Sequence, residues 1–148
     1  MKNKTLATWL AFVGGPLGLH RFYLHGMGDW LGWLMPVPSL LGLYGIVRAQ
    51  SLGLDDPWSW VLVPLLGFTF AACSLTAIVY GLMTREKWNA RFNAGATEDD
   101  IAGGTNWFTI AAVVLSLMIG TTVLMATLAF GLYNYFNWQV DEARKISQ

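Results

Sequence analysis

Nine consecutive residues, Gly18-Leu19-His20-Arg21-Phe22-Tyr23-Leu24-His25-Gly26, set two imidazoles, a guanidinium and a phenol between two apolar segments. A plain turn needs only Gly, Asn or Pro, so a connection with this many donors and rings is the first place to look for chemistry or recognition. His20, His25 and Asp29 are potential metal ligands, but their spacings match no tight ligand pattern and they offer at most three donors. Glu98, Asp99 and Asp100 beside Gly103 and Gly104 could attract a divalent cation. With Thr97 three residues before Asp100, the same cluster has the spacing of a helix-capping pair. No Gly-x-Ser-x-Gly elbow, His-Glu-x-x-His pair or phosphate loop occurs. Nucleophilic, metallopeptidase and nucleotide chemistry are left without residues to carry them, and neither an enzyme nor a cofactor or metal is expected. His20 and Arg21 suit a phosphate group or a helix C-terminus, while Phe22 and Tyr23 suit a membrane interface. The segment reads either as a lipid-anchoring turn or as a docking motif for a partner, built from Gly18, His20, Arg21, Phe22, Tyr23, Leu24 and Gly26.

The elements holding this knot follow from composition. Of 148 residues, 55% are hydrophobic and 12% charged, with a mean hydropathy of +0.46, whereas about a quarter of a soluble domain is charged. Nine basic and nine acidic residues cancel, so no net field would draw the chain to nucleic acid. Four apolar stretches, residues 6–19, 30–47, 60–83 and 107–136, exclude all eighteen charged residues. That exclusion follows if ionised groups at the bilayer centre cost several kcal/mol each. The last two stretches exceed the roughly 20 residues needed to span as helix. Trp58, Trp60 and Tyr80 border the third, and Trp107, Tyr133, Tyr135 and Trp138 border the fourth, as interfacial rings do. The first is only about 21 Å long as a helix and would need tilt or thinning to cross. The second carries Pro36 and Pro38, which should kink or break it. Lys2 and Lys4 ahead of an apolar run also suit a signal peptide, but no small-x-small cleavage site follows, which favours a retained segment.

The chain resembles the TM2 domain family, called NINE proteins in bacteria. The resemblance rests on Lys2-Asn3-Lys4, Gly14-Gly15-Pro16-Leu17-Gly18 and the His20-Arg21-Phe22-Tyr23-Leu24 element with Gly26 and Gly28 after it. More loosely, residues 83–93 are similar to the polar segment after the second helix of simple members. His25 departs from the pattern, where glycine is usual. The resemblance implies a small module embedded in the bacterial inner membrane, with a short helical hairpin and no enzymatic activity. The reading is thus an all-α integral membrane protein of four transmembrane helices. Residues 1–50 are a TM2-type hairpin, 51–83 a third helix, 84–106 a polar loop, and 107–148 a fourth helix with a polar tail.

Packing signals accompany these spans. Gly14 and Gly18, four apart, would form one smooth stripe on the first helix; Cys73, Ala77 and Gly81 repeat the pattern in the third, and Ala112, Ser116 and Gly120 in the fourth. The latter two stripes should pack on each other or across a dimer. Hydroxyls at membrane depth, Thr69, Ser74, Thr76, Thr121, Thr122 and Thr127, are expected to bond back to carbonyls one turn earlier. With four spans and the N-terminus inside, five basic residues face the cytoplasm against four outside, and Lys2 and Lys4 favour both termini inside. The expected function is a binding or scaffold module whose partners are the lipid bilayer and another membrane protein or a second copy of itself. The alternative is a small oligomeric channel or transporter, which the absence of ionisable residues within the spans disfavours.

Overall fold

The computed structural model describes residues 1–54, 56–96 and 100–147. These are almost wholly helical: α1 (Lys4–Val13), α2 (Leu19–His25), α3 (Trp30–Leu34), α4 (Pro36–Leu52), α5 (Pro57–Leu82), α6 (Arg85–Phe92) and α7 (Trp107–Ile146), with 3-10 turns at Gly15–Leu17 and Ile101–Gly103. Three helical stretches are long and apolar enough to cross a membrane, Trp30–Leu52, Pro57–Leu82 and Ile101–Ile146, which makes a membrane protein of the chain.

The expected fourth span, residues 6–19, is not among them. Its helix α1 stops at Val13 after ten residues, about 15 Å. The Gly14–Gly15–Pro16 sequence then turns the chain through a single 3-10 turn, and Gly18 takes a left-handed conformation (φ +75°) that starts α2 back toward the end where α1 began. Several contacts fix this return. His25 stacks edge-on against Phe92, with centroids 6.2 Å apart, and Leu24 packs with Ala7 and Trp88. The turn itself lies halfway along the neighbouring helices. A Cβ on Gly15 would press on Cys73, nine residues from the end of α5, and the Pro16 carbonyl accepts from Ser39 Oγ at 2.7 Å. Gly14 and Gly18 therefore do not form a stripe on one helix, because the helix has ended before the second of them.

Pro36 and Pro38 sit in the first turn of α4, where a missing N–H costs little, so they separate α3 from α4 without ending the span. Helix α4 meets α5 through Gly42 and Gly45, whose absent side chains admit Leu66 and Leu62. Helices α5 and α7 run antiparallel: Gly81 faces Val113, Ser74 faces Gly120 and Gly67 faces Thr127, a seven-residue step along both helices. All six residues of the two small-residue stripes are buried, but the stripes diverge. Ala112, Ser116 and Gly120 line the buried face of α7, with Gly120 set against Ser74 of α5; Cys73 faces the Gly15 turn, and Ala77 packs with Ala11 and Phe12 of α1. Gly81 meets both neighbours, through Val113 and Thr8.

Helix α7 is 40 residues long and starts beside Thr5, whose hydroxyl lies 2.7 Å from Thr109 Oγ1. Its far end is thus about 60 Å away. Among the described residues, Lys4 at the start of α1 and Ile146 at the end of α7 therefore stand at opposite ends of the bundle.

Candidate functional site

The polar knot folds as a two-turn helix between two glycines of positive φ, Gly18 and Gly26, rather than as an open loop. Nothing between them breaks a helix, and the seven residues present alternating faces. His20 and Leu24, four apart, are buried; Arg21, Phe22 and Tyr23 are half-buried; Leu19 and His25 are exposed. His20 rests on the Tyr80 ring with its Nδ1 unpartnered, and burial pushes its pKa down to about 4. Phe22 stacks on Trp33 at 5.2 Å and fills the space over Gly32. Gly18 also approaches Gly32 so closely that a Cβ would overlap the Gly32 carbonyl oxygen.

Arg21 clamps the following turn. Its Nε donates to Asp29 Oδ2 at 2.6 Å and its Nη2 to Oδ1 at 3.3 Å, and the hydrogen-bonded guanidinium holds the Asp29 carboxyl below the usual range. The candidate metal trio does not converge: His25 Nδ1 stands 4.0 Å from an Asp29 already committed to Arg21, and among the described residues no three His, Cys, Asp or Glu side chains are grouped to hold an ion. The cation or capping cluster cannot be placed in the same way, since Thr97, Glu98 and Asp99 lie outside the described residues.

The same clamp occurs again 27 residues on. Arg48 grips Asp56 through two bonds of 2.8 Å, and Asp56 caps α5 at Ser59. In both turns a glycine of positive φ ends the first helix, Gly26 or Gly53. In both, a tryptophan indole donates to the carbonyl six residues earlier, Trp33 to Met27 and Trp60 to Leu54. The sequence carries the signal of these turns as Arg-x4-Gly-x2-Asp-x3-Trp, at 21–33 and again at 48–60. The two clamps close opposite ends of the α3–α4 span, each neutralising an arginine where the chain turns.

Around the knot the N-terminal residues are strapped down. The Lys2 N–H donates to Asn93 Oδ1 at 2.6 Å, and the Lys2 carbonyl accepts from Trp88 Nε1 and Asn93 Nδ2. Lys2 Nζ donates to the Leu24 carbonyl, and the Asn3 N–H donates to the Tyr23 hydroxyl at 2.8 Å. Lys4 is fully buried, its ammonium donating to the Met83 carbonyl and Thr105 Oγ1, and that burial lowers its pKa. Trp88 is buried beneath the strap, whereas the basic residues Lys87 and Arg91 on the same short helix are exposed. The expected polar loop of residues 84–106 thus contains a helix, α6, that packs on the N-terminal residues.

Three exposed residues form a crest at the turn after α2: His25, whose ring leans on Phe92, with Met27 and Trp30, Met27 exposed by 69% and Trp30 by 68%. No family model, curated protein or solved structure matches the chain.

Proposed function

We propose that this chain is a docking module of the bacterial inner membrane, of the TM2 type, in which three helices span and the α1–α2 hairpin enters and leaves by the same face. The hairpin reaches about 15 Å, half of a hydrocarbon layer of about 30 Å. Its non-helical turn is tolerable at that depth because protein surrounds it and its polar groups are met, by Ser39 and by bonds among Gly14, Gly15 and Gly18. Grouping the basic residues by bundle end gives six with the N-terminus (Lys2, Lys4, Arg21, Arg85, Lys87 and Arg91) and three at the other end (Arg48, Arg144 and Lys145). The positive-inside rule then supports a cytoplasmic N-terminus and knot, with the C-terminus across the membrane.

The observation that carries the non-transport reading is the state of the threonine hydroxyls at membrane depth. Thr69, Thr76, Thr121, Thr122 and Thr127 each donate to the carbonyl four residues back, so these five hydroxyls are spent within their own helices; Ser74 departs from that expectation, its hydroxyl and that of Ser116 being buried without a partner. Recognition falls instead to exposed Met27 and Trp30, because Arg21, Tyr23, Leu24 and His25 are engaged by Asp29, Asn3, Lys2 and Phe92. Exposed Met and Trp beside a polar rim are residue types that interfaces favour. A photoreactive residue at Met27, activated in native membranes, should give one discrete adduct with another membrane protein, while the same residue at lipid-facing Leu43 should give none. Equal, diffuse labelling at both sites, together with ion flux through the reconstituted protein, would favour the channel alternative.

A further inference from the structure

Helix α5 is flanked by α4 on one side and α7 on the other. Over the half of α5 nearest the N-terminal end, α1 and its turn fill the trough: Gly15 lies on Cys73, and Phe12 stacks edge-on against Phe70, with centroids 6.1 Å apart. Past Phe70 the hairpin ends and the trough continues as a cleft of about 390 Å³. Ile46 of α4, Val63 of α5, and Val123, Ala126 and Phe130 of α7 line it, with Gly67 touching Thr127 where the two helices approach.

We propose that this cleft holds one acyl chain of a phospholipid from the leaflet at the Arg48–Asp56 end. The inference rests on the three spanning helices and not on the docking role. The lining offers an occupant almost nothing polar, since the one hydroxyl, Thr127 Oγ1, already donates to the Val123 carbonyl at 2.7 Å. Water has no partners there, and an empty cleft would forfeit dispersion contacts along its walls. Size selects the occupant. At about 30 Å³ for a group the size of water, the volume holds about a dozen methylenes, whereas a helix about 10 Å across would fit for only about one turn. The Phe12–Phe70 contact closes the inner end, so the chain enters from one leaflet only.

The test uses the whole protein in phosphatidylethanolamine and phosphatidylglycerol vesicles doped with a phosphatidylcholine that carries a diazirine midway along one acyl chain. Photolysis should label peptides from 63–70 and 123–130 above the rest of the spans. Ala126→Trp, which fills the cleft, should reduce that labelling about ten-fold or more while the melting temperature in detergent holds. Val63→Phe supplies the same test from α5 should the first variant fail to fold, and Leu43→Trp on the outer face should leave labelling unchanged. Even labelling around all three spans, labelling untouched by both filling variants, or cleft residues that crosslink to a second copy of the chain would overturn the proposal.

Discussion

The Lys4 ammonium donates to the Met83 carbonyl at 2.9 Å, so the first helix of the chain begins where α5 ends. That one bond joins residues 79 apart and fixes the sense of the hairpin. A first helix that crossed the membrane from this end would deliver Leu24 and His25 to the far side. Both instead lie against Trp88 and Phe92, beside Lys4's own end of the bundle.

Gly18 should be the least replaceable residue of the hairpin. Its φ of +75° disfavours any side chain, and a Cβ would overlap the Gly32 carbonyl oxygen. Gly18→Ala is expected to cost about 2 kcal/mol or more. Leu17→Ala, at an exposed position, should stay within about 0.5 kcal/mol. Gly14→Ala should fall between them: its φ of −98° suits a side chain, but the new Cβ would crowd Leu19 Cδ1 and Cβ at 2.6 and 2.9 Å. Detergent melting curves of the three variants check the order, and equal losses at Gly18 and Leu17 would remove the close backbone contact from the account.

Trp88 should anchor the N-terminal strap. It is fully buried, and its indole holds the Lys2 carbonyl. Trp88→Ala is expected to destabilise by about 3–5 kcal/mol. Asn93→Ala, which removes two bonds to Lys2 without opening a large cavity, should cost less but expose the N-terminus to protease. Proteolysis alongside the melts separates the two effects, and an unchanged cleavage rate in both variants would mean the strap is already open in solution.

His20 should make stability pH-dependent in a defined direction. Its folded pKa of about 4 lies below the unfolded value of 6.5, chiefly because burial disfavours the charged ring. Between those values the unfolded chain binds the extra proton, so stability rises with pH from about 4 to 6.5 and is lost on acidification, by up to about 3 kcal/mol. His20→Phe keeps the packing on Tyr80 and should flatten that slope. A slope unaltered by the substitution would assign the acid sensitivity to other groups.

Much of the architecture was readable because hydropathy and charge exclusion mark bilayer-length helices directly. Residues 60–83 and 107–136 did become α5 and α7, and the glycines, alanines, serine and cysteine of their stripes are buried. The same signals could not tell a short span from a hairpin that turns back, since both bury apolar residues. The distinguishing marks at residues 6–19 were the deficit in length and Gly14-Gly15-Pro16 at the end of the helix. The knot was legible as a concentration of donors and rings but not as a helix, and its inward face depended on Tyr80, Trp88 and Phe92, which lie about 60 residues later. The repeated Arg–Asp clamp was visible in spacing alone; its meaning as a paired turn required both turns to be seen closed.

The measurement that bears most directly on this account is the sidedness of the N-terminus relative to Met27. In a Cys73→Ala background, single cysteines ahead of Met1, at Met27, at Lys87 and at Ser147 would be labelled with a membrane-impermeant thiol reagent in sealed vesicles of known orientation. A re-entrant hairpin predicts that the first three label from one face and Ser147 from the other. Labelling of the N-terminus and Met27 from opposite faces, with Ser147 on the side of the N-terminus, would show four complete spans and contradict it.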